Sequence, residues 1–257
     1  MGAPLSSGLI DFLNVTYTST GPTPGFIVTI FDEGDFSEYF PSIDSPSNPQ
    51  RFKFDTPGGA RFRIAGPQHL FTRPANDGIW GFIGVGAGQL FRATPQNGTP
   101  ALQLMMGINS GEELYNFFVN HQLTITMSVT GITNPGQFSY YINDNSPNSA
   151  VGTSATPLFS TLTGLNTYNF TGTTNFFNTA FSAPGVYNID FQFSGVLSAG
   201  NVPVTSAFYR YTFDVAAFAV PEPATWALLG LIATVAGFTV WHLRRRRQRA
   251  LDAVLSD

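Results

Sequence analysis

The sequence contains no cysteine. Disulfides cannot staple the fold, thiol nucleophiles and thiolate metal sites are excluded, and stability has to come from packing. Charge is sparse as well: 11% of the 257 residues are charged against 43% hydrophobic, a balance that suits a globular chain rather than a disordered one. Before Ala224 there are 14 acidic and 7 basic residues, a net of −7; from Arg244 onward there are 5 Arg and 2 Asp, a net of +3. An acidic body argues against nucleic acid as a partner. Of the 3 histidines, His69 and His121 precede the tail, and neither stands at a metal-ligand spacing, so each reads as structural. No Gly-x-Ser-x-Gly elbow occurs. Catalysis has little to work with, no cofactor is implied, and the expectation is a protein that is not an enzyme.

No secretory signal is visible in the first residues either. Met1 to Ile10 has no basic segment and no long apolar run, and the first basic residue is Arg51. The tail nevertheless requires export, so the first residues are expected to lie at or near the mature N-terminus, with Met1 an artefact or a misassigned start.

What the chain does have is phenylalanine, 25 of them, and alternation. Tyr187, Ile189, Phe191 and Phe193 share one strand face, as do Ala207, Tyr209, Tyr211, Phe213 and Val215, and Leu123, Ile125, Met127 and Val129. Leu13 to Tyr17, Ile27 to Phe31, Ile79 to Ile83, Leu102 to Ile108 and Phe138 to Ile142 read as further strands. Pro135-Gly136 and Pro184-Gly185 each release the chain into one. Residues 143–175 predict polar loops around one or two short strands. Ser110-Gly111-Glu112-Glu113 is either a capping box opening a helix or a loop entering the Leu123 strand. The fold class is therefore all-β: one antiparallel, jelly-roll-like β-sandwich over residues 1–219, followed by a single C-terminal transmembrane helix.

That helix is read from the last forty residues. Val220-Pro221-Glu222-Pro223 precedes an uncharged run from Ala224 to Leu243, and Arg244-Arg245-Arg246-Arg247 follows. The run's 20 residues, at about 1.5 Å of rise each, match a hydrocarbon core of roughly 30 Å. Trp226 and Trp241 fall near its ends, and the arginines act as a stop-transfer block on the cytoplasmic side. Pro221 and Pro223 fix φ and remove donors, so the helix cannot propagate upstream and an extended segment remains outside it. This three-part ending resembles the PEP-CTERM sorting signal of Gram-negative bacteria that secrete exopolysaccharide, over residues 220 to about 249. The resemblance implies that an exosortase-like membrane protease recognises Val220 to Pro223, removes the transient anchor and passes the ectodomain to the cell surface or extracellular matrix. Residues 250–257 form a short cytoplasmic tail, longer than such signals usually carry. A permanently membrane-anchored binding module is the alternative from the residues alone.

The ectodomain resembles a second family more faintly, the choice-of-anchor M or surface-anchored β domains. The matching segments are Trp80-Gly81-Phe82-Ile83-Gly84, Met127 to Tyr141 and Thr174 to Tyr187, in the same order. Thr174 and Phe176 stand where that family has histidines, so any metal site those form is missing here.

Binding candidates are few. Asp32, Glu33, Asp35 and Glu38, and Asn143-Asp144-Asn145, offer oxygen ligands without a calcium-loop spacing, and read as solvated loops. Asp55-Thr56-Pro57-Gly58 lacks the glycine of an aspartic-protease loop, and Gly84-Val85-Gly86-Ala87-Gly88 reads as a turn. Arg51, Lys53, Arg61 and Arg63 alternate with apolar residues on two strands. If the turn at Pro57-Gly58-Gly59 pairs Lys53 with Arg61 or Arg63, all four share one face, which if exposed suits an anionic polysaccharide, while a register shifted by one points the two pairs oppositely. The competing reading is that they neutralise the Asp32–Glu38 cluster across the sheet. A glycan-active enzyme on a jelly roll remains a further alternative, since carboxylate pairs cannot be matched across space from a sequence.

Overall fold

The computed structural model describes residues 8–18, 25–32, 51–53, 60–97, 104–109, 117–128, 134–144, 149–171 and 174–218. The chain divides into two compact units, Met1–Phe218 and Ala219–Asp257, and all the described residues fall in the first. Its strands are β1 (Gly8–Thr18), β2 (Gly25–Asp32), β3 (Arg51–Lys53), β4 (Ala60–Ile64), β5 (Leu70–Thr72), β6 (Leu90–Thr94), β7 (Leu104–Asn109), β8 (Leu123–Ser128), β9 (Phe138–Asn143), β10 (Ala155–Ser160), β11 (Thr167–Phe170), β12 (Thr174–Phe181), β13 (Gly185–Leu197), β14 (Val202–Thr205) and β15 (Tyr209–Val215). One sheet runs β10-β9-β12-β7-β1-β2-β3, with β6 on β12 and β5 on β6. The other runs β11-β8-β13-β15-β4, with β14 on β13.

The two sheets pack together as a β-sandwich because β1, β4, β7, β8, β9, β12, β13 and β15 turn apolar residues into a shared core. Tyr187, Ile189, Phe191 and Phe193 of β13 are buried, while Asn188, Asp190, Gln192 and Ser194 between them face outward. Aromatic rings then bridge the sheets. Phe213 of β15 lies 5.3 Å from Phe181 and 5.8 Å from Phe138, and Phe191 lies 5.9 Å from Phe159. Such pairs contribute about 0.5–1.5 kcal/mol each beyond the area they bury. In a chain without disulfides this aromatic seam is the main fastening.

Two features depart from the sequence reading. The sheets are not wholly antiparallel: β1 runs parallel to β7, and β15 parallel to β4. Alternation fixes which face a residue occupies and carries no information on strand direction, and both pairs join segments far apart in the chain. Ile79 to Ile83 is no strand. Asp77–Trp80 forms a turn of α-helix and Gly81–Ile83 a turn of 3-10 helix. The Asn76 side chain caps this unit by accepting from Gly78 N at 3.1 Å, a local alternative to strand pairing. Residues 110–116 lie outside the described residues; Val119–His121 make a 3-10 turn leading into β8.

The helical turns serve a second, smaller core. Trp80, Phe82 and Ile83 pack with Phe91, Ala93, Tyr141, Ala150 and Ala180 over the outer face of the nine-stranded sheet. Tyr141 meets Phe82 at 5.1 Å and donates to Ala150 O at 2.6 Å. The two proline-glycine turns also pack on each other. Gly185 adopts φ 131°, and a Cβ there would stand 2.7 Å from Pro135 Cγ. A Cβ on Gly136 would stand 2.6 Å from Ser182 Oγ and 2.8 Å from the Tyr187 hydroxyl, so the space admits only glycine. The Tyr187 hydroxyl closes the turn by donating to Ala183 O at 2.9 Å and accepting from Ala183 N at 3.1 Å.

Burial raises the pKa of Tyr141 and Tyr211 well above the ordinary tyrosine value, with the neighbouring Tyr209 adding to the effect at Tyr211. Tyr168 is raised by burial too, and Tyr187 is raised despite the opposing hydrogen bonds from Ala183 and Ser182. Below about pH 10 these hydroxyls are neutral in folded and unfolded chains alike, and their contribution to stability is intact. Above that the unfolded chain ionises first, so stability falls as pH rises toward the folded values. A circular-dichroism titration should show unfolding coupled to tyrosinate absorbance above about pH 10; tyrosinate appearing with the fold intact would contradict this.

Candidate functional site

β15 ends at Val215, and Ala216, Ala217 and Phe218 carry the chain out of the β domain. This exit is fastened. Ala216 N donates to Ile64 O at 3.0 Å, continuing the β15–β4 ladder by one residue. Arg92 of β6, only 4% exposed, supplies the rest. Its Nε donates to Ala216 O at 2.8 Å, its Nη2 to Ala217 O at 2.8 Å and its Nη1 to Gly66 O at 2.5 Å. Burial holds its pKa below the ordinary arginine value. All three acceptors are backbone carbonyls, so the guanidinium works as a fork that fixes chain path, with no role in proton transfer. Its position between buried Phe91 and Ala93 was the available signal, a cation inside an apolar strand.

The sorting residues themselves, Val220, Pro221, Glu222, Pro223 and Arg244 to Arg247, lie outside the described residues, as does the helix expected over 224–243. Among the described residues no helix is long and apolar enough to cross a membrane.

The four cations singled out in the sequence are not brought together as a hairpin. β3 pairs with β2, placing Arg51 opposite Phe31 and Lys53 opposite Thr29. β4 pairs with β15 in the other sheet, placing Arg61 opposite Thr212 and Arg63 opposite Asp214. The pairing of Lys53 with Arg61 or Arg63 is thus corrected: an edge strand was free to choose a non-local partner, and a short turn motif does not force the local one. Arg61 Nη2 and Arg63 Nη1 approach one carboxylate oxygen, Asp214 Oδ2, at 3.3 and 3.8 Å. Their acidic neighbour is therefore Asp214 on the adjacent strand.

These residues belong to a larger outward face that the sequence reading did not assemble. Arg210 of β15 grips Asp190 of β13 with two bonds, Nε to Oδ1 and Nη2 to Oδ2, each 2.8 Å. That carboxylate raises the Arg210 pKa through its hydrogen bond and its charge, against a small loss from burial. Thr212 Oγ1 donates to Asn188 Oδ1 at 3.0 Å, and Thr124 Oγ1 to Asn169 Oδ1 at 2.9 Å. The outward residues were legible from the same alternation that identified the inward ones: Arg210, Thr212 and Asp214 are simply the other phase of β15.

Other candidates resolve into structure. His69 is buried, its Nδ1 donating to Ala93 O at 2.9 Å. Arg73 is buried beside the helical turn, donating from Nε to Trp80 O at 3.0 Å and from Nη2 to Asp77. Asp144 Oδ2 accepts from Thr153 N at 2.8 Å and Thr153 Oγ1 at 2.5 Å, so it ties a loop. Gly84 to Gly88 form a turn in which Gly88 N donates to Arg73 O at 2.9 Å. Among the described residues no group of three or more His, Cys, Asp or Glu could hold a metal. Asp55 to Gly58 and the Glu33, Asp35 and Glu38 positions lie outside the described residues.

A β-sandwich whose last strand is locked at its end, and which then hands over to a separate tail, has the organisation of a cargo domain with a C-terminal address. The tail supplies the address: residues 219–247 match the family model of the PEP-CTERM protein-sorting motif. The match marks an exported protein sorted by exosortase, a membrane protease, with membrane anchoring that lasts only until cleavage. No curated protein and no solved structure matches the chain.

Proposed function

We propose that this chain is a non-catalytic surface or extracellular-matrix protein: a β-sandwich cargo delivered by its C-terminal signal and then associated with exopolysaccharide in a biofilm. The observation that carries the reading is the sorting motif at 219–247, which begins directly after the fastened end of the β domain. In this reading Val220, Pro221, Glu222 and Pro223 form the extended recognition segment, residues 224–243 the transient anchor, and Arg244 to Arg247 the cytoplasmic stop. The protease cuts in or near the Pro-Glu-Pro segment, and residues 1–219 leave the membrane. A non-catalytic role is supported by the sites above: the buried arginines and histidine have backbone or structural partners.

The test is mass measurement of the full chain expressed in a host that carries exosortase. The extracellular form should end within the motif and lack residues 224–243. Replacing Pro221, Glu222 and Pro223 together with alanine should leave the intact 27.8 kDa chain in the membrane fraction. Wild-type protein that stays intact in the membrane of such a host would refute sorting and support a permanently anchored module.

A further inference from the structure

We infer that the outward face of the six-stranded sheet is a docking surface for an acidic polysaccharide; this deepens, and rests on, the exopolysaccharide association proposed above. The first observation is where the cations are. Among the described side chains, the Lys and Arg residues that are not buried are Arg61, Arg63 and Arg210, and all three lie on this face. With Asp190 and Asp214 they give it a net charge of +1, on a chain that carries −7 before Ala224. Arg61 and Arg63 are 48% and 51% exposed and share a single carboxylate, so their guanidinium forks keep donors directed to solvent. Guanidinium forks match carboxylate, sulfate or phosphate groups on a polymer.

The second observation is what lies beside the cations. Register carries the face inward from the β4 edge to β11, where the outward residues are uncharged: Thr126 stands opposite both Gln192 and Thr167. Hydroxyl and amide groups of this kind bond the hydroxyls of a sugar chain. No outward residue of β4, β8, β11, β13 or β15 is aromatic, and the exposed ring of Phe208 lies just before β15, so these strands themselves offer no stacking platform for neutral sugar rings. Five strands at roughly 4.8 Å spacing make it about 19 Å across. The outer side of the other sheet is covered by the Trp80 core over β6, β9 and β12, whereas this side presents mainly polar residues to solvent, with Val186 and Val196 as apolar exceptions. Cations at one edge and hydroxyls at the other, across one continuous sheet face, select an extended polymer bearing both acid and hydroxyl groups. An anionic lipid surface would match only the charged edge.

The experiment uses the full chain in phosphatidylcholine nanodiscs, titrated with polygalacturonate, neutral dextran and polyglutamate. Polygalacturonate should bind at least tenfold more tightly than dextran and several-fold more tightly than polyglutamate, with affinity falling as salt rises. Changing Arg61, Arg63 and Arg210 together to Gln should weaken polygalacturonate binding at least tenfold while the circular-dichroism spectrum is unchanged. Thr124→Ala with Thr126→Ala should weaken polygalacturonate and leave polyglutamate unaffected. Absent or unaltered polygalacturonate binding, or dextran or polyglutamate binding equally well, overturns the inference. Failure here with normal processing leaves the sorting role standing; binding without processing does the reverse.

Discussion

Phe213→Ala lowers the unfolding free energy by about 3–5 kcal/mol. Phe213 is fully buried where the sheets meet, beside its strand neighbour Phe62 at 5.5 Å and across from Phe181 at 5.3 Å and Phe138 at 5.8 Å. Removing the ring loses its transfer free energy and leaves a cavity walled by three rigid rings, which cannot collapse to fill it. The measurement is the midpoint of urea unfolding, compared with Phe208→Ala. Phe208 is 50% exposed, and its replacement should stay within about 0.5 kcal/mol. A loss below about 1 kcal/mol for Phe213→Ala would show that the aromatic seam does not hold the sandwich together.

Arg92→Met costs about 2–4 kcal/mol, and here two effects oppose each other. Each hydrogen bond from a charged donor contributes about 1.5–3 kcal/mol, and Arg92 makes three. Against this, burying the guanidinium carries a desolvation cost that methionine removes. The bonds win because their acceptors are backbone carbonyls, which remain after the substitution and lose their donor. Ala217 is exposed and is rehydrated by water, which keeps the loss below the sum of three full bonds. Arg92→Lys keeps the charge without the fork, reaches fewer carbonyls, and should lose about half as much. Unfolding midpoints and amide exchange at residues 216–218 would report both changes. An Arg92→Met protein as stable as wild type would mean that desolvation cancels the clamp.

Most strands could be read from the sequence because the inward phase of each is apolar and the outward phase polar. β13 and β15 are the clearest instances: Tyr187, Ile189, Phe191, Phe193, Tyr211, Phe213 and Val215 are buried as the alternation requires, whereas Tyr209 is half-buried and Ala207, which precedes β15, is exposed. Partner choice was not legible. β4 lies beside β15, from the other end of the domain, and nothing in Arg61-Phe62-Arg63-Ile64 names that neighbour. Ile79 to Ile83 misled because its apolar residues serve a helical turn and a strand equally well; the Asn76 cap decides between them. The sorting address was legible because it depends on order along the chain: proline segment, apolar run, arginine block. Arg92 is the opposite case, since its meaning depends on carbonyls more than a hundred residues away.

The placement of β15 has a mechanical consequence. It is bonded on both sides, antiparallel to β13 and parallel to β4, and it runs straight to the exit. Tension transmitted along this strand loads two ladders in shear at once, with the Arg92 fork just past its C-terminal end. Shear demands that many bonds give way together, where peeling would open them singly. A domain held by its last strand can thus resist pulling along that strand far better than one held at a frayed edge.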